Sequence, residues 1–318
     1  MGYSRPRPLD ARWVSIAVKF QRLTPVFAEP PPADGWFSHA MAPAPLLLGD
    51  RIRVYVGGWD ETGISRIFFV DVAREDPSRL IGYSKDPVLD LGDAGCFDDN
   101  GVFPGSVTTV DEMPILYFTG FQIGQHVRHF NFSGAARISG DGPLQRVSKA
   151  PVLDRADEGL HVRAGLSTVR VGSTLMSAYS AGSTWLTIDG VSRPVYDVYM
   201  QHPSSPVHFD SSGLVVLRHE PPGEHALGRP QLILRGGEVI VLFTTRTTDM
   251  RYRFGAARAS RSGMWSRVAI DGLEDTIAGF DDEMTYFPGP VMVGDRLLVF
   301  YSGNGFGRTG LGVGEIRD

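Results

Sequence analysis

The sequence predicts an all-β fold: a five-bladed β-propeller with four antiparallel strands per blade, its ring closed by pairing of the N- and C-terminal strands. Three observations predict it. A segment recurs about every sixty residues. Each period splits into four short β-rich runs bounded by turn formers. Glycine (38) and proline (22) together make about 19% of the 318 residues. That exceeds the ordinary share of ~12% but stays below the ~25–30% of low-complexity chains. A turn-rich folded protein follows, and the composition argues against a helical bundle and against a disordered chain.

The recurring segment is an apolar strand ending in an aromatic and a small residue. It reads Val54-Tyr55-Val56-Gly57-Gly58, Leu116-Tyr117-Phe118-Thr119-Gly120, Ala178-Tyr179-Ser180-Ala181-Gly182, Leu242-Phe243-Thr244-Thr245 and Phe300-Tyr301-Ser302-Gly303. The anchor aromatics 55, 117, 179, 243 and 301 are spaced by 62, 62, 64 and 58 residues. Thirteen residues before the anchor stands Pro104, Pro230 or Pro288 in three repeats, and Ala42 or Leu166 in the others. Within the second repeat the runs are Val102–Thr109, Pro114–Thr119, Phe130–Ile138 and Leu144–Lys149. Such spacing indicates a sandwich or propeller, not βαβ units. Two stacked sandwiches are the alternative, and the near-constant period weighs against them. The expected blades are 36–93, 94–155, 156–222, 223–273 and 274–318, in one domain spanning 1–318. The last period is short, and a strand within 12–24, over Trp13–Leu23, supplies the missing one.

Charge and cysteine content narrow the partners. The net charge is −5, so no basic excess exists to displace counterions from nucleic acid. One cysteine, Cys96, permits neither an intrachain disulfide nor a cysteine-based metal site. No apolar leader or run of ~18 apolar residues is present. The expectation is a cytoplasmic protein without membrane or nucleic-acid partner or cofactor; no ligand spacing supports a metal, and a cation on the axis and the oligomeric state stay open.

A propeller's inner strands converge on one end of an axial channel. Residues 14–20 before each anchor are therefore expected to face one another across a funnel. Asp99, His161, His225 and Glu283 share position −18; Asp98, Glu224 and Asp282 share −19. Carboxylates gathered in one concavity split their pKa values, which makes an acid and a base from one residue type. Glycoside cleavage needs such a pair. Asp99, Glu283 and Glu224 are the catalytic candidates, with Glu283 as general acid and Asp99 as base or nucleophile. His39, Asp98, His161, Arg163, Arg229, Asp282, Tyr286, Asn304 and Trp59 are the substrate-binding candidates. Ordinary turn chemistry offers a competing reading for Asp98-Asp99-Asn100-Gly101. Gly305-Phe306-Gly307-Arg308-Thr309-Gly310 matches a dinucleotide fingerprint but has no room for the helix and acid that must follow it. It reads as a glycine-rich turn.

These motifs resemble the five-bladed β-propeller glycosidase superfamily, which includes arabinanase/β-xylosidase, invertase/levansucrase and mannoside phosphorylase families. The residues that carry the resemblance are Ser38-His39-Ala40, Phe97-Asp98-Asp99-Asn100-Gly101-Val102-Phe103-Pro104, Glu224 with Ala226-Leu227-Gly228-Arg229-Pro230, Asp282-Glu283-Met284 with Tyr286, and Tyr301 to Gly307. It spans residues 10–318 and is strongest toward bacterial glycosidase-like proteins encoded with polysaccharide or glycoconjugate biosynthesis genes. The resemblance implies hydrolysis or transfer of a glycosyl group, with a carbohydrate or glycosylated small molecule as substrate. Two departures matter. The arabinanase and invertase families carry a catalytic Asp on the first blade, where this chain has Trp36-Phe37-Ser38-His39. The third blade offers Glu158 further out, with His161 and Arg163 at the funnel. A non-catalytic sugar-binding module and an enzyme acting on a nucleoside or antibiotic intermediate remain alternatives. Hydrolysis, transfer or phosphorolysis, and retention or inversion, stay open.

Overall fold

Each repeated apolar segment forms the second strand of an antiparallel group, and its anchor ring is fully buried. Tyr55, Tyr117, Tyr179, Phe243 and Tyr301 are at most 1% exposed. A continuous run such as Ile52 to Gly58 is buried on both faces, so it shows no alternation. The computed structural model describes residues 18–110, 112–209, 212–260 and 263–317.

The strands run in order β1 (Val18–Arg22), β2 (Ser38–Leu48), β3 (Arg51–Trp59), β4 (Ser65–Ala73), β5 (Leu80–Tyr83), β6 (Val102–Val110), β7 (Met113–Ile123), β8 (His129–Arg137) and β9 (Gln145–Arg146). They continue as β10 (Val162–Val171), β11 (Thr174–Ile188), β12 (Val191–Gln201), β13 (Leu214–Leu217), β14 (Glu224–Arg235), β15 (Glu238–Thr247), β16 (Arg253–Ala259) and β17 (Trp265–Val268). Last come β18 (Ile270–Asp271), β19 (Tyr286–Val293), β20 (Arg296–Ser302), the one-turn α1 (Asn304–Gly307) and β21 (Leu311–Arg317). The described residues are mostly β with almost no helix.

Antiparallel pairing groups the strands as β2-β3-β4-β5, β6-β7-β8-β9, β10-β11-β12-β13 and β14-β15-β16-β17. The group β19-β20-β21 takes β1 as its next strand, with Phe20 opposite Ile316. The expected N-terminal strand thus lies over Val18–Arg22 among the described residues, and 12–17 lie outside them. Short parallel contacts, Val162 to Asn131 and Tyr196 to Ala226, tie β10 to β8 and β14 to β12. The fourth run of the second repeat shrinks from Leu144–Lys149 to Gln145–Arg146, because Ser148 to Ala150 turn out into solvent.

Apolar clusters form between neighbouring groups. Val54, Val56, Phe68 and Val70 pack with Phe300 and Val313. Tyr55 and Phe69 pack with Leu116 and Phe118. Tyr117 meets Leu166 and Tyr179, and Val198 meets Leu227 and Phe243. Phe254 and Leu242 meet Phe20, Val299 and Tyr301. The first strands β2, β6, β10, β14 and β19 also touch one another in sequence, and β19 touches β2.

Every first strand breaks register at the same place. The shifts fall between Met41 and Ala44, Pro104 and Ser106, Ala164 and Ser167, Gly228 and Gln231, and Tyr286 and Gly289. Four of these bulges contain a residue in the left-handed region: Ala42, Gly165, Arg229 and Phe287. A bulge re-aims one side chain out of the strand's alternation. Here it turns Arg229 and Phe287 into one cavity. Backbones approach closely at this level. A Cβ on Gly165 would lie 2.7 Å from the Arg229 Cα, and one on Gly289 would lie 2.1 Å from the Pro43 carbonyl oxygen.

Candidate functional site

The bulges frame a cavity of about 130 Å3 where β6, β10, β14 and β19 begin. That is well above the ~10–15 Å3 that one water needs. Phe103 and Phe287 line it and stack with centroids 6.4 Å apart. Val162, Ala164, Gly165 and Gly228 complete its apolar wall. The remaining wall comes from the turns joining second and third strands: Arg128 and His129 before and in β8, Arg193 and Tyr196 in β12, and Arg246 late in β15. Four arginines therefore line the cavity, and among its described lining residues there is no carboxylate.

Arg229 closes the cavity at depth. It is 3% exposed, and its guanidinium donates to the carbonyl oxygens of Pro104 (3.2 Å), Pro288 (2.8 Å), Ala42 (3.1 Å) and Pro43 (2.6 Å). One side chain thereby ties β2, β6 and β19 to β14. Burial lowers its pKa to about 9, so it stays charged at neutral pH. Arg246 donates to the hydroxyls of Tyr196 (2.6 Å) and Tyr252 (3.3 Å), while its Nε is buried without a partner. The Nε of Arg193 is likewise buried and unpartnered. Burial, then Arg128 and Arg246, push His129 down to about 4, and its Nδ1 has no partner. It is a neutral imidazole at pH 7.

Of the residues the sequence nominates, Arg229 alone lines this cavity. The nominated acids are not gathered there. Asp98 is buried and accepts from the Arg146 guanidinium at 2.8 Å. Asp99 sits in the turn before β6, where one oxygen accepts from the Gly95 amide (2.8 Å) and the other is buried without a partner. Glu224 faces the outer strand β17, in a bidentate pair with Arg267 at 2.6 and 2.7 Å. Glu283 is exposed and its carboxylate has no partner among the described residues, although Arg253 holds its carbonyl (2.8 Å). Asp99 and Glu283 stand four residues before Phe103 and Phe287, on the loops that enter the two aromatic-bearing strands.

The binding candidates separate into local clusters. Asn304 accepts from the Glu283 and Met284 amides and donates to Asp282 (2.7 Å), so it pins the loop before β19. That bond holds the Asp282 carboxyl below the usual range. Tyr286 is wholly buried with its hydroxyl unpartnered, and burial pushes its pKa far up. His39 bonds Ser38 (2.7 Å) and stacks on Trp59 at 3.9 Å; burial, then Arg308, pushes it down to about 4. His161 accepts from the Trp185 indole (3.1 Å). Arg163 is 2% exposed and pairs with Glu158 at 3.1 Å. Segment 304–307, within the fingerprint-like run, is a tight turn with Gly305 and Phe306 at positive φ. Among the described residues no group of three or more His, Cys, Asp or Glu is arranged to hold a metal. No helix of the described chain is long and apolar enough to cross a membrane.

The residues missed by sequence reasoning are Arg128, His129, Arg193 and Arg246. They lie on the hairpins between second and third strands, not on the loops entering the first. Their one shared signal was an arginine near that hairpin in three successive repeats.

His225 gives a stability prediction. It is 1% exposed, near Pro194 O and the Tyr252 hydroxyl, and burial, then Arg246, lower its pKa from 6.5 to about 4. The unfolded chain takes up this proton first, so stability falls as pH drops from 6.5 toward 4. Between pH 7 and 5 this residue accounts for about 2 kcal/mol of that loss. Urea unfolding of His225→Gln should show a pH dependence flatter by that amount; an unchanged slope contradicts it.

No family model matches the chain. A Mycobacterium tuberculosis relative, "Uncharacterized protein Rv1502", is 25% identical over 301 residues, covering 94% of this chain and 99% of that protein. Among solved structures, one is described as "The GH130 family of mannoside phosphorylases contains glycoside hydrolases that target beta-1,2 mannosidic linkages in Candida mannan". It superposes with TM-score 0.70 at 12% identity, over 98% of this chain and 96% of that one. The fold is similar to that of glycoside hydrolases. A thermostable family-43 glycoside hydrolase gives TM-score 0.62 at 14% identity, over 91% of each chain. This likeness to glycoside hydrolases is one of fold over nearly the whole length. A shared fold does not transfer an active site, which has to be argued from its own residues.

Proposed function

We propose that the protein is a five-bladed β-propeller that processes a glycoside at the cavity where its first strands begin. Five strand groups, inner strands that contact their neighbours in sequence, and the pairing of β1 with β21 support the ring. The observation that carries the functional reading is the cavity itself. It is concave, walled by the stacked Phe103 and Phe287, and edged by hydrogen-bonding side chains, in a fold otherwise seen in glycoside hydrolases. Aromatic faces suit a sugar ring, and the polar edge suits its hydroxyls.

Acid–base chemistry falls to Glu283, with Asp99 as its counterpart on the neighbouring aromatic loop. Glu283 is the catalytic candidate whose carboxylate is unengaged, whereas Glu224 is held by Arg267. A second reading, glycan binding without turnover, is favoured by the carboxylate-free lining of the cavity. A panel of aryl glycosides and oligosaccharides separates the two. Release of sugar, or of sugar phosphate when phosphate is supplied, supports the enzyme. Saturable binding with no product across the panel supports the module.

A further inference from the structure

We propose that the glycoside carries its own phosphoryl group and that Arg193 and Arg246 hold it, with Arg128 at the cavity mouth. This rests on the reading of the cavity as a glycoside site. The chain has a net charge of −5, yet this cavity presents four arginine side chains and no carboxylate among its described lining residues. Several arginines elsewhere in the molecule are matched to acids: Arg53 to Asp71, Arg146 to Asp98, Arg163 to Glu158, Arg267 to Glu224. Those lining the cavity are not. Arg229 is spent on backbone carbonyls, which offer dipoles but no charge. Arg246 is spent on two tyrosine hydroxyls, and Arg193 has no acidic partner among the described residues.

Arg193 and Arg246 are half-buried and Arg128 is exposed, so their charges are partly hydrated, and a ligand that supplies counter-charge still gains from three cations gathered at one cavity. Guanidinium forks match the oxygens of a phosphate in bidentate fashion. One carboxylate would leave most of this charge uncompensated, whereas a phosphomonoester dianion takes up two of the four. The neutral His129 beside Arg128 adds a further donor without adding charge. The arginine wall and the Phe103–Phe287 wall belong to the same cavity of about 130 Å3. A single ligand that fills it touches both, as a glycoside carrying its own phosphoryl group would.

The test is calorimetric titration at low salt with glucose 6-phosphate, glucose, glucuronate and inorganic phosphate, on the wild type and on Arg193→Met/Arg246→Met. The sugar phosphate is expected to bind at least tenfold tighter than glucose or glucuronate, and tighter than inorganic phosphate. The double variant, with an unfolding midpoint that shows it folded, should lose that preference. Arg246→Lys, which keeps the charge but not the fork, should retain part of it. Equal affinity for glucose and its phosphate, or an unchanged preference in the double variant, overturns the proposal. Inorganic phosphate binding as tightly as the sugar phosphate overturns the assignment of the group to the glycoside. Turnover of neutral glycosides by both proteins would remove this inference and leave the glycosidase reading standing.

Discussion

Replacing Arg229 with Met should destabilise the protein by about 3–5 kcal/mol, the largest stability effect expected of any single change near the cavity. The guanidinium serves four buried carbonyls from three other strand positions: Pro104, Pro288, and Ala42 with Pro43. Methionine fills much of the same volume and donates nothing. Each stranded acceptor costs ~1–3 kcal/mol, less whatever cavity water recovers. The midpoint of thermal unfolding should fall by about 5–8 °C. Lysine should fall between, because one ammonium cannot reach all the carbonyls that a planar fork does. A Met variant melting within about 2 °C of the wild type would mean that the carbonyls find other donors. The left-handed backbone at residue 229 is retained by either replacement, so the comparison isolates the guanidinium.

Glu283→Gln should lower turnover of a processed glycoside by about 10²–10⁴-fold while leaving its affinity within a few-fold. The amide keeps the shape of the side chain and removes its proton chemistry. Stability should hardly move, since this carboxylate is exposed and makes no hydrogen bond or ion pair among the described residues. That separates it from Glu224→Gln, which breaks the bidentate pair with Arg267 and should cost stability. It separates it also from Asp98→Asn, which unpairs Arg146. Full turnover in Glu283→Gln would remove this residue from the chemistry and shift attention to Asp99. Asp99→Asn is harder to interpret, because that carboxylate also caps the Gly95 amide in its turn.

The strand content was legible because the repeat carries it. An aromatic at 55, 117, 179, 243 and 301 marks the second strand of each group, and all five are buried. The neighbouring bulge was foreshadowed by Pro104, Pro230 and Pro288, since a proline cannot continue the ladder there. What the repeat could not show is which way side chains turn at the bulge. Asp98, Glu224 and Asp282 share one offset from the anchor, yet one pairs with Arg146, one with Arg267, and one with Asn304. Sequence offset places a Cα on a loop; partner side chains from far along the chain decide where the carboxylate goes. Arg128, Arg193 and Arg246 escaped notice for the complementary reason. They sit on second-to-third-strand hairpins of different length, so no fixed offset aligns them.

The most direct measurement is a crystal structure of Glu283→Gln soaked with a glycoside that the wild type turns over. The sugar ring should lie against Phe103 and Phe287, its anionic group on Arg193 and Arg246, and its glycosidic oxygen within hydrogen-bond reach of residue 283. A second, more polar cavity lies at the far ends of β6 and β10, lined by Val110, Thr174, Leu175 and Pro203 to Pro206. Sugar density there, or elsewhere, with the arginine-lined cavity empty, would contradict the assignment of the site.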